Sequence, residues 1–229
     1  MIGLGGWARF SIWEHSERVR TLYEQRARLE AEEMTCAAQA AELLAEVVES
    51  SDSLLDVGCG SGYFFHSLAA RGISVEYWGL DSCLDFISTG REVLPAFGLP
   101  AERLVNGRIE DLEATVDHVL CMNVLSNLDN FHRPLERMLR SARKTVILRE
   151  SIQDEARYRY VVDGYLDSPE PLRTHVNTYS RSEINAVASE LGFSTRFLPD
   201  RRTGGEAELV IDYPHYWTFV VMTREKGRA

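Results

Sequence analysis

The sequence lacks an excess of basic residues, which excludes one large class of partners. Of its 229 residues, 25 are Lys or Arg and 35 are Asp or Glu, so the net charge is −10 at pH 7. A protein that binds along nucleic acid needs a basic surface to neutralise phosphates, so we expect no nucleic-acid partner. The main basic grouping is predicted to be the solvated face of a helix and comprises Arg137, Arg140, Arg143 and Lys144.

Long hydrophobic runs and paired cysteines are also missing. No apolar stretch is long enough to span a bilayer, and the first residues carry no secretion signal, so we expect no membrane partner and a cytoplasmic location. The four cysteines, Cys36, Cys59, Cys83 and Cys121, form neither a C-x-x-C pair nor a zinc spacing. We therefore expect no metal site, and we expect reduced thiols that pack as small hydrophobic groups. The oligomeric state stays open.

Predicted strands and helices alternate along most of the chain. Residues 16–48 have helical periodicity in two stretches, so we assign 1–49 to an N-terminal helical extension and 50–229 to the main domain. The predicted strands are 54–57, 75–80, 103–106, 118–121, 145–148, 194–198 and 217–223. The predicted helices of the main domain are 63–71, 83–94, 134–142 and 181–191.

This alternation predicts a doubly wound α/β fold with a seven-stranded, mostly parallel sheet. No helical stretch separates the last two strands, so they must run antiparallel and the terminal strand is reversed. The segment from about residue 150 to 180 is long and polar and includes Pro169 and Pro171, so it is predicted to form a lid-like insertion. The helix that follows is predicted to begin with a capping box between Ser180 and Glu183 and to end at Gly192.

A glycine-rich turn follows the first predicted strand. It consists of Asp56 and then three glycines at alternate positions, Gly58, Gly60 and Gly62. Glycines allow a tight turn and leave the backbone bare, and the next helix points its amides at a ligand. In doubly wound sheets such a turn lies where ligands bind. Two acids follow the next strands: Asp81 is placed to accept ribose hydroxyls and Asp111 to accept an adenine amine.

Four segments carry a family resemblance. The stretch 55–63 resembles motif I of the class I (Rossmann-like) S-adenosylmethionine-dependent methyltransferases, and 79–82 is similar to the acidic motif that follows it. The stretch 106–112 resembles the adenine-contacting motif, and 117–128 resembles the fourth-strand motif. The predicted terminal hairpin is also a hallmark of that family. The resemblance covers roughly residues 45–223. It also implies that the N-terminal helical extension, 1–49, covers the cofactor or substrate.

The resemblance implies S-adenosyl-L-methionine as cofactor, with S-adenosyl-L-homocysteine as product. Asp56 and the glycine backbone would contact the methionine portion, Asp81 the ribose and Asp111 the adenine amine. Glu110 and Leu112 would surround the adenine, and residues after the fourth strand would line the methyl-donor side. The implied cofactor-binding residues are Asp56, Gly58, Gly60, Gly62, Asp81, Ser82, Glu110, Asp111, Leu112, Met122 and Asn123.

Candidate catalytic residues follow from the predicted topology. Methyl transfer requires alignment of the acceptor, and a general base only when the acceptor must lose a proton. The candidates that face the carboxyl edge of the sheet are His215, His175 and Glu150. His215 is the first choice because imidazole titrates in the useful range, although it could simply pack beside Trp217. Glu150 could orient a substrate hydroxyl or pair with Arg149.

The predicted function is methyl transfer to an oxygen or nitrogen atom of a small molecule. Residues 123–126 read Asn-Val-Leu-Ser and lack the Asn/Asp-Pro-Pro-Tyr/Phe tetrad of enzymes that methylate DNA bases or protein glutamine. A protein methyltransferase and a non-catalytic S-adenosylmethionine-binding protein remain alternatives. An NAD-dependent oxidoreductase is more remote, because its G-x-G-x-x-G pattern requires glycine where Tyr63 stands.

Overall fold

Two helices precede the central sheet. The computed structural model describes residues 12–169 and 171–225, with α1 at Glu17–Ala27 and α2 at Thr35–Ala45. Ser16 caps α1, because its Oγ accepts the Val19 N–H. The alanine-rich face of α2 is buried, which lets this helix approach the sheet closely. Both helices lie in the predicted extension, of which residues 1–11 are outside the described residues.

Twelve strands occur in the described part of the chain. They are β1 (Ser53–Val57), β2 (Glu76–Asp81), β3 (Leu104–Asn106), β4 (Val116–Met122), β5 (Ala142–Gln153), β6 (Tyr160–Val162), β7 (Arg173–His175), β8 (Tyr179–Ser180), β9 (Phe193–Pro199), β10 (Glu208–Val210), β11 (Tyr213–His215) and β12 (Trp217–Arg224). The central sheet has the order β3-β2-β1-β4-β5-β12-β9, and β8 pairs with the end of β5. Only β12 runs antiparallel to its neighbours in this sheet.

Helices cover both faces of the sheet. They are α3 (Phe64–Ala70), α4 (Leu84–Val93), α5 (His132–Ser141) and α6 (Arg181–Glu190). Successive side chains of a strand point to opposite faces: Val146 and Leu148 pack with α5 and α6, whereas Ile147 packs with α2 and α3. The predicted doubly wound, mostly parallel sheet with a reversed terminal strand is confirmed; its seven predicted strands are joined by the short β8 as an eighth. None of the described helices is long and apolar enough to cross a bilayer.

The order in which the chain adds strands to the sheet reverses between β1 and β4. The chain moves outward from β1 through β2 to β3 and then returns to β4, which pairs with the other side of β1. In open α/β sheets, the crevice at the carboxyl ends of such strands is the usual ligand site. The glycine turn after β1 and the residues after β4 therefore meet at this edge.

Two strand features differ from the sequence prediction. The strand predicted to end at residue 148 continues to Gln153, because Glu150 and Ile152 are fully buried there. A hairpin of β10 and β11 fills what was predicted to be a loop. Its turn residues Ile211 and Asp212 have positive φ angles of 51° and 65°. A β-branched residue strongly disfavours this conformation, so the sequence did not signal the turn.

The ends of α6 agree only in part with the predicted caps. Ser180 is the N-cap residue, but its side chain makes no capping hydrogen bond. Its Oγ instead donates to the carbonyl of Asp154 at 3.1 Å, which ties the start of α6 to the chain that leaves β5. The predicted capping box is therefore wrong. Gly192 follows the helix with a φ of +78°, as a glycine exit requires.

Candidate active site

The glycine turn adopts a backbone that other residues cannot follow. Gly58, Gly60 and Gly62 all have positive φ, at 74°, 58° and 77°. A Cβ added at Gly58 would overlap the side chain of Val124, and one added at Gly60 would overlap Tyr23. The Gly58 N–H donates to the Leu80 carbonyl at 2.7 Å, which fixes the turn to the end of β2. The bare turn is thus held tightly at the carboxyl edge.

Tyr23 of α1 covers this turn. Its ring lies against Gly60 and stacks on Phe86 with 4.2 Å between ring centroids. The Ser61 hydroxyl donates to the Tyr23 carbonyl at 2.8 Å, and burial raises the pKa of the Tyr23 phenol to about 12. Sequence analysis had no reason to select Tyr23, because helical periodicity does not say which segment α1 will cover.

Asp81 ends β2 beside the turn. Its two carboxylate oxygens accept the N–H groups of Gly60 and Cys83, each at 2.8 Å. Burial raises its pKa, and these backbone donors oppose the shift. A carboxylate has about four acceptor positions, so these backbone donors leave room for a further donor such as a ribose hydroxyl. The neighbouring Ser82 is exposed, and its carbonyl accepts a hydrogen bond from the Asn106 side chain.

Asp56 is buried rather than open to the cleft. Its Oδ2 accepts the hydroxyl of Tyr77 at 2.8 Å. Burial raises the pKa of Asp56 to about 7; the Tyr77 hydrogen bond opposes the shift and the negative charge of Asp81 adds to it. Asp56 therefore changes its charge near neutral pH.

The loop after β3 carries an open carboxylate at the position predicted to contact the adenine amine. Asp111 is exposed, and its side chain makes no hydrogen bond or ion pair with the described residues. The adjacent Glu110 is instead paired with Arg108 at 3.4 Å. Leu112 is buried in the same apolar cluster as Leu80, which brings this loop to the end of β2. Of the two acids predicted to lie at the adenine, Glu110 and Asp111, the second is thus the one available to a ligand.

Asn123 is held in a strained conformation directly after β4. It follows the buried Met122 and has a φ of +60°. Its N–H donates to the Arg149 carbonyl at 2.9 Å, its carbonyl accepts from Asn127 at 2.9 Å, and its Oδ1 accepts from the Arg149 guanidinium. Because Oδ1 is occupied, the Nδ2 amide is the group left to donate. Such strain is concentrated at functional sites.

Arg149 connects Asn123 to the terminal strand. Its Nε donates to Asp200 at 2.7 Å, and its guanidinium lies 4.3 Å from the centroid of the Trp217 ring. Asp200 is fully buried and also accepts the N–H groups of Arg202 and Thr203. The charge of Arg149 is therefore compensated. The sequence did not signal Asp200, which lies far from Arg149 along the chain.

His215 extends this cluster. The residue is 3% exposed, and its ring lies 4.8 Å from the ring of Trp217. Its Nδ1 lies 3.3 Å from the carbonyl of Tyr213. A carbonyl can only accept, so Nδ1 carries the proton and Nε2 keeps a lone pair. Burial lowers the pKa of His215. The hydrogen bond with the Tyr213 carbonyl and the charge of Glu208 oppose this shift, and the smaller effects of Arg159 and Arg149 add to it.

Glu150 points to the opposite face of β5 and is fully engaged. Its Oε1 accepts the N–H groups of Val124 and Leu125, and its Oε2 accepts the N–H and hydroxyl of Ser126. Burial raises the pKa of Glu150, although these four donors oppose the shift. With both oxygens occupied, Glu150 fixes the turn after β4 instead of facing an open cleft, and it does not pair with Arg149.

His175 lies in the insertion, on β7. Its ring lies 4.7 Å from the Tyr160 ring, and burial lowers its pKa. The nearby Asn177 N–H donates to the Ser126 carbonyl at 2.9 Å, and the Tyr179 hydroxyl donates to the Leu125 carbonyl at 2.5 Å. These bonds fasten the end of the insertion to the turn after β4, whereas no contact joins His175 to His215.

Two cavities lie apart from the glycine turn. One of about 430 Å³ is lined by residues including Arg181 and Phe197, and one of about 260 Å³ by residues including Gln153 and Tyr216. Neither includes a residue of the glycine turn, which is covered by Tyr23. Within the described ranges, no group of three or more His, Cys, Asp or Glu side chains is arranged to hold a metal ion.

The strand order, the reversed β12 and the glycine turn beside two acids together define a class I methyltransferase, a class that depends on S-adenosylmethionine. The chain matches the family model of the methyltransferase domain over residues 27–196, more than half of its length, and it belongs to that family. The methyltransferase assignment made from the sequence is confirmed.

Several solved structures share the fold. Magnesium protoporphyrin IX methyltransferase from Synechocystis, with bound S-adenosylhomocysteine, is 14% identical with a TM-score of 0.63, and the match covers 96% of this chain and 100% of that one. An S-adenosylmethionine-dependent methyltransferase from Clostridium acetobutylicum is 13% identical, with coverage of 90% and 98% and a TM-score of 0.61. An amino pentose methyltransferase from Micromonospora echinaspora is 19% identical, with coverage of 94% and 98% and a TM-score of 0.59. No curated protein matches the chain in sequence.

Proposed function

We propose that this protein transfers a methyl group to an oxygen or nitrogen atom of a small molecule. The observation that carries this proposal is the cluster of Asn123, Arg149, Trp217 and His215, which joins the methyl-donor side of the glycine turn to the terminal strand. Two similar structures are described as methyltransferases of a magnesium protoporphyrin and of an amino pentose, both small molecules. The acidic net charge also disfavours a nucleic-acid acceptor.

The carboxyl edge fits a cationic cofactor. Asp56, Asp81 and Glu150 all lie there, and none has a cationic side chain as a partner among the described residues. When bound, S-adenosylmethionine supplies a methyl group on a positively charged sulfonium. In this proposal Asp81 holds the ribose and Asp111 the adenine amine, and the buried Asp56 acts on the methionine end through its charge and not by direct contact.

The remaining predicted residues complete the cofactor cradle. Gly58, Gly60 and Gly62 would present bare backbone, and Tyr23 would close over it from α1. The surrounding positions, in this proposal, are Ser82, Glu110, Leu112, Met122 and Asn123. Tyr23 lies where a ligand on Gly60 would contact it, so α1 must shift or its ring must stack on the bound cofactor.

His215 is the proposed general base. Its Nδ1 proton is engaged by Tyr213, so Nε2 can accept a proton from the acceptor. Its lowered pKa keeps the ring neutral at pH 7. Glu150 is the weaker candidate because both of its oxygens are occupied, and we propose that it positions the turn at 124–126. His175 is the remaining candidate for the base; it lies on β7 of the insertion and not beside His215.

We also propose a cytoplasmic location. All four cysteines, Cys36, Cys59, Cys83 and Cys121, are buried and unpaired. Unpaired thiols are typical of reducing compartments, where disulfides are rare.

The direct test is a search for the acceptor. The full chain is incubated with S-adenosylmethionine and a metabolite mixture, and S-adenosylhomocysteine is measured by mass spectrometry. Release that depends on a small-molecule fraction is expected. Cofactor binding without release from any fraction would instead indicate a non-catalytic binding protein, and release only with a protein fraction would indicate a protein methyltransferase.

A second test addresses the base. His215→Gln should lower kcat by about 100-fold or more, with cofactor affinity unchanged. Because the pKa of His215 is lowered from about 6.5, wild-type activity should fall only below that pH, and the variant should lose this acidic limb. His132→Gln is the matched control, since His132 is exposed and stacks on Phe131. An unchanged kcat and pH profile in His215→Gln would remove His215 from the mechanism.

A further inference from the structure

Arg159 of the insertion is anchored beside the proposed acceptor site. Its N–H donates to the Asn177 side chain at 2.9 Å, and its carbonyl accepts the Val176 N–H at 3.0 Å. Asn177 in turn donates to the carbonyls of Ser126 and Leu128 in the turn after β4. The backbone of Arg159 is therefore fixed to the edge of the sheet that carries Asn123, although it belongs to the insertion.

The guanidinium of Arg159 has no acidic partner in the part of the chain that the structure describes. It lies 5.2 Å from the centroid of the Tyr213 ring, and its Nη1 is buried without a hydrogen bond. Among the described residues no carboxylate lies within 4.0 Å of it. A buried N–H group without a hydrogen-bond acceptor is costly, and in a chain with ten more acidic than basic residues a carboxylate partner would be easy to supply. The guanidinium of Arg159 is therefore suited to bind a hydrogen-bond acceptor on a ligand.

Arg149 shows what a compensated arginine looks like in the same cluster. Its Nε is bound to Asp200 at 2.7 Å, and a second nitrogen is bound to Asn123. The other acid near His215 is Glu208, which is already paired with Arg202 and with Trp217. No acid of this cluster is left for Arg159, so the cluster carries an uncompensated positive charge.

We propose that Arg159 binds an oxyanion group, a carboxylate or a phosphate, on the methyl acceptor. This inference rests on the proposed function, because it names the class of acceptor used at that site. Tyr213 connects Arg159 to the proposed base His215. The Tyr213 ring lies against the guanidinium of Arg159, and the Tyr213 carbonyl accepts the Nδ1 proton of His215. An acceptor whose oxyanion lies on Arg159 would thus extend along Tyr213 toward the free Nε2 of His215. A guanidinium suits both oxyanions because its donors form a planar fork.

Binding of three fluorinated probes tests the proposal without turnover. Fluorobenzoate, fluorophenyl phosphate and uncharged fluorobenzamide are titrated by fluorine NMR into the full chain loaded with S-adenosylhomocysteine. We expect at least one anion to bind more tightly than the amide. Arg159→Gln should weaken the anion by about tenfold to a hundredfold and leave the amide unchanged, and Arg159→Lys should restore part of the affinity. Whichever anion binds better identifies the oxyanion.

Arg173→Gln is the matched control, because Arg173 is an exposed arginine of the same insertion that donates to the Tyr160 carbonyl. It should leave probe binding unchanged. Equal binding of all three probes, no binding of any, or an equal loss for anion and amide in Arg159→Gln would each overturn the proposal. Because these readouts need no methyl transfer, anion binding with no S-adenosylhomocysteine release from metabolites would count against the proposed function alone.

Discussion

Acidic residues lie at both ends of the parallel strands: at the amino edge, where these strands begin, and at the carboxyl edge, where they end. The acids at the amino edge have cationic partners, whereas three acids buried at the carboxyl edge have none among the residues that the structure describes. At the amino edge, Asp52 is bound to Lys144 at 2.6 Å and to His118 at 2.9 Å, and Asp117 is bound to Arg143 at 2.9 Å. Arg143 and Lys144, which the sequence suggested were part of a solvated helix face, instead begin β5 and make these ion pairs; that interpretation was wrong. At the carboxyl edge, neutral donors hold Asp56, Asp81 and Glu150.

The pKa shifts follow this difference. Burial alone would raise the pKa of Asp52, but hydrogen bonds from Lys144, the Glu49 N–H and His118 outweigh it, so the pKa is lowered. The hydrogen bond from Arg143 holds the pKa of Asp117 well below its usual range. Burial raises the pKa of both Asp56 and Asp81. At the amino edge, ion pairs therefore favour the ionised carboxylates, whereas burial at the carboxyl edge disfavours the ionised forms of Asp56 and Asp81. In the proposed function, a cationic ligand supplies the missing compensation at the carboxyl edge.

The largest effect is expected from Asp81→Asn. The variant loses the acceptor for ribose hydroxyls and the negative charge, so the Kd for S-adenosylmethionine should rise by about 100-fold. The free energy of unfolding should fall by about 1 kcal/mol, because the Asn amide faces one of the two N–H groups that Asp81 accepts, while the loss of a buried charge offsets part of this cost. Calorimetry and urea denaturation measure the two quantities. Asp85→Asn, at an exposed aspartate of α4, is the control. Unchanged affinity in Asp81→Asn would show that the carboxyl-edge acids do not differ from the amino-edge acids in cofactor binding.

Asp52→Ala should have the opposite outcome. It leaves the fully buried His118 without its Nε2 partner, so the free energy of unfolding should fall by about 2 kcal/mol. Cofactor affinity should stay the same, because this edge is remote from the glycine turn. Urea denaturation measures the loss, with the largely exposed Glu49→Ala as control. A large loss of affinity here would show that the two edges are not independent.

Asp56 makes the comparison dependent on pH. Its pKa of about 7 means that it is mostly protonated at pH 6 and ionised at pH 8. A cationic methionine group nearby would favour the ionised form, so affinity for S-adenosylmethionine should rise by about tenfold over this interval. Asp56→Asn should flatten that rise; an equally steep rise in the variant would assign the proton to another group.

The same raised pKa affects folding with the opposite sign. A carboxyl whose pKa is raised in the folded state contributes stability that is fully present below its unfolded pKa of about 4 and is lost as pH rises to about 7. Asp56→Asn should remove this component of the pH dependence. Urea denaturation between pH 4 and pH 8 measures it in the absence of cofactor.

The smallest effect is expected at Asp117. Its lowered pKa contributes stability that is present above the unfolded value of about 4 and is lost as pH falls below it. Asp117→Asn should therefore flatten the acid limb of stability between pH 5 and pH 2. Arg143 is half exposed, so salt near 1 M should weaken this contribution. A limb that is unchanged by the substitution would place the acid sensitivity elsewhere.

Most of the cofactor side of the site could be predicted from sequence because its parts are local. The turn at Gly58 and Gly60 follows β1 directly, and Asp81 and Asp111 each follow a neighbouring strand, so parallel pairing brings them together. The residues of the proposed methyl-acceptor side were harder to predict from the sequence. Asp200 and Arg159 come from segments without a repeating pattern, and Glu150 was expected to face an open cleft, yet it fixes the turn after β4.

The sequence by itself determined the class of fold and the location of the glycine turn. Both follow from short-range patterns: alternating strand and helix segments, and glycines where only a left-handed backbone is possible. The tertiary structure alone decided which charges are compensated. Asp52 meets a histidine 66 residues away, whereas Arg159 meets an aromatic ring and no acid. Charge pairing depends on distances between remote segments, and those distances exist only once the chain has folded.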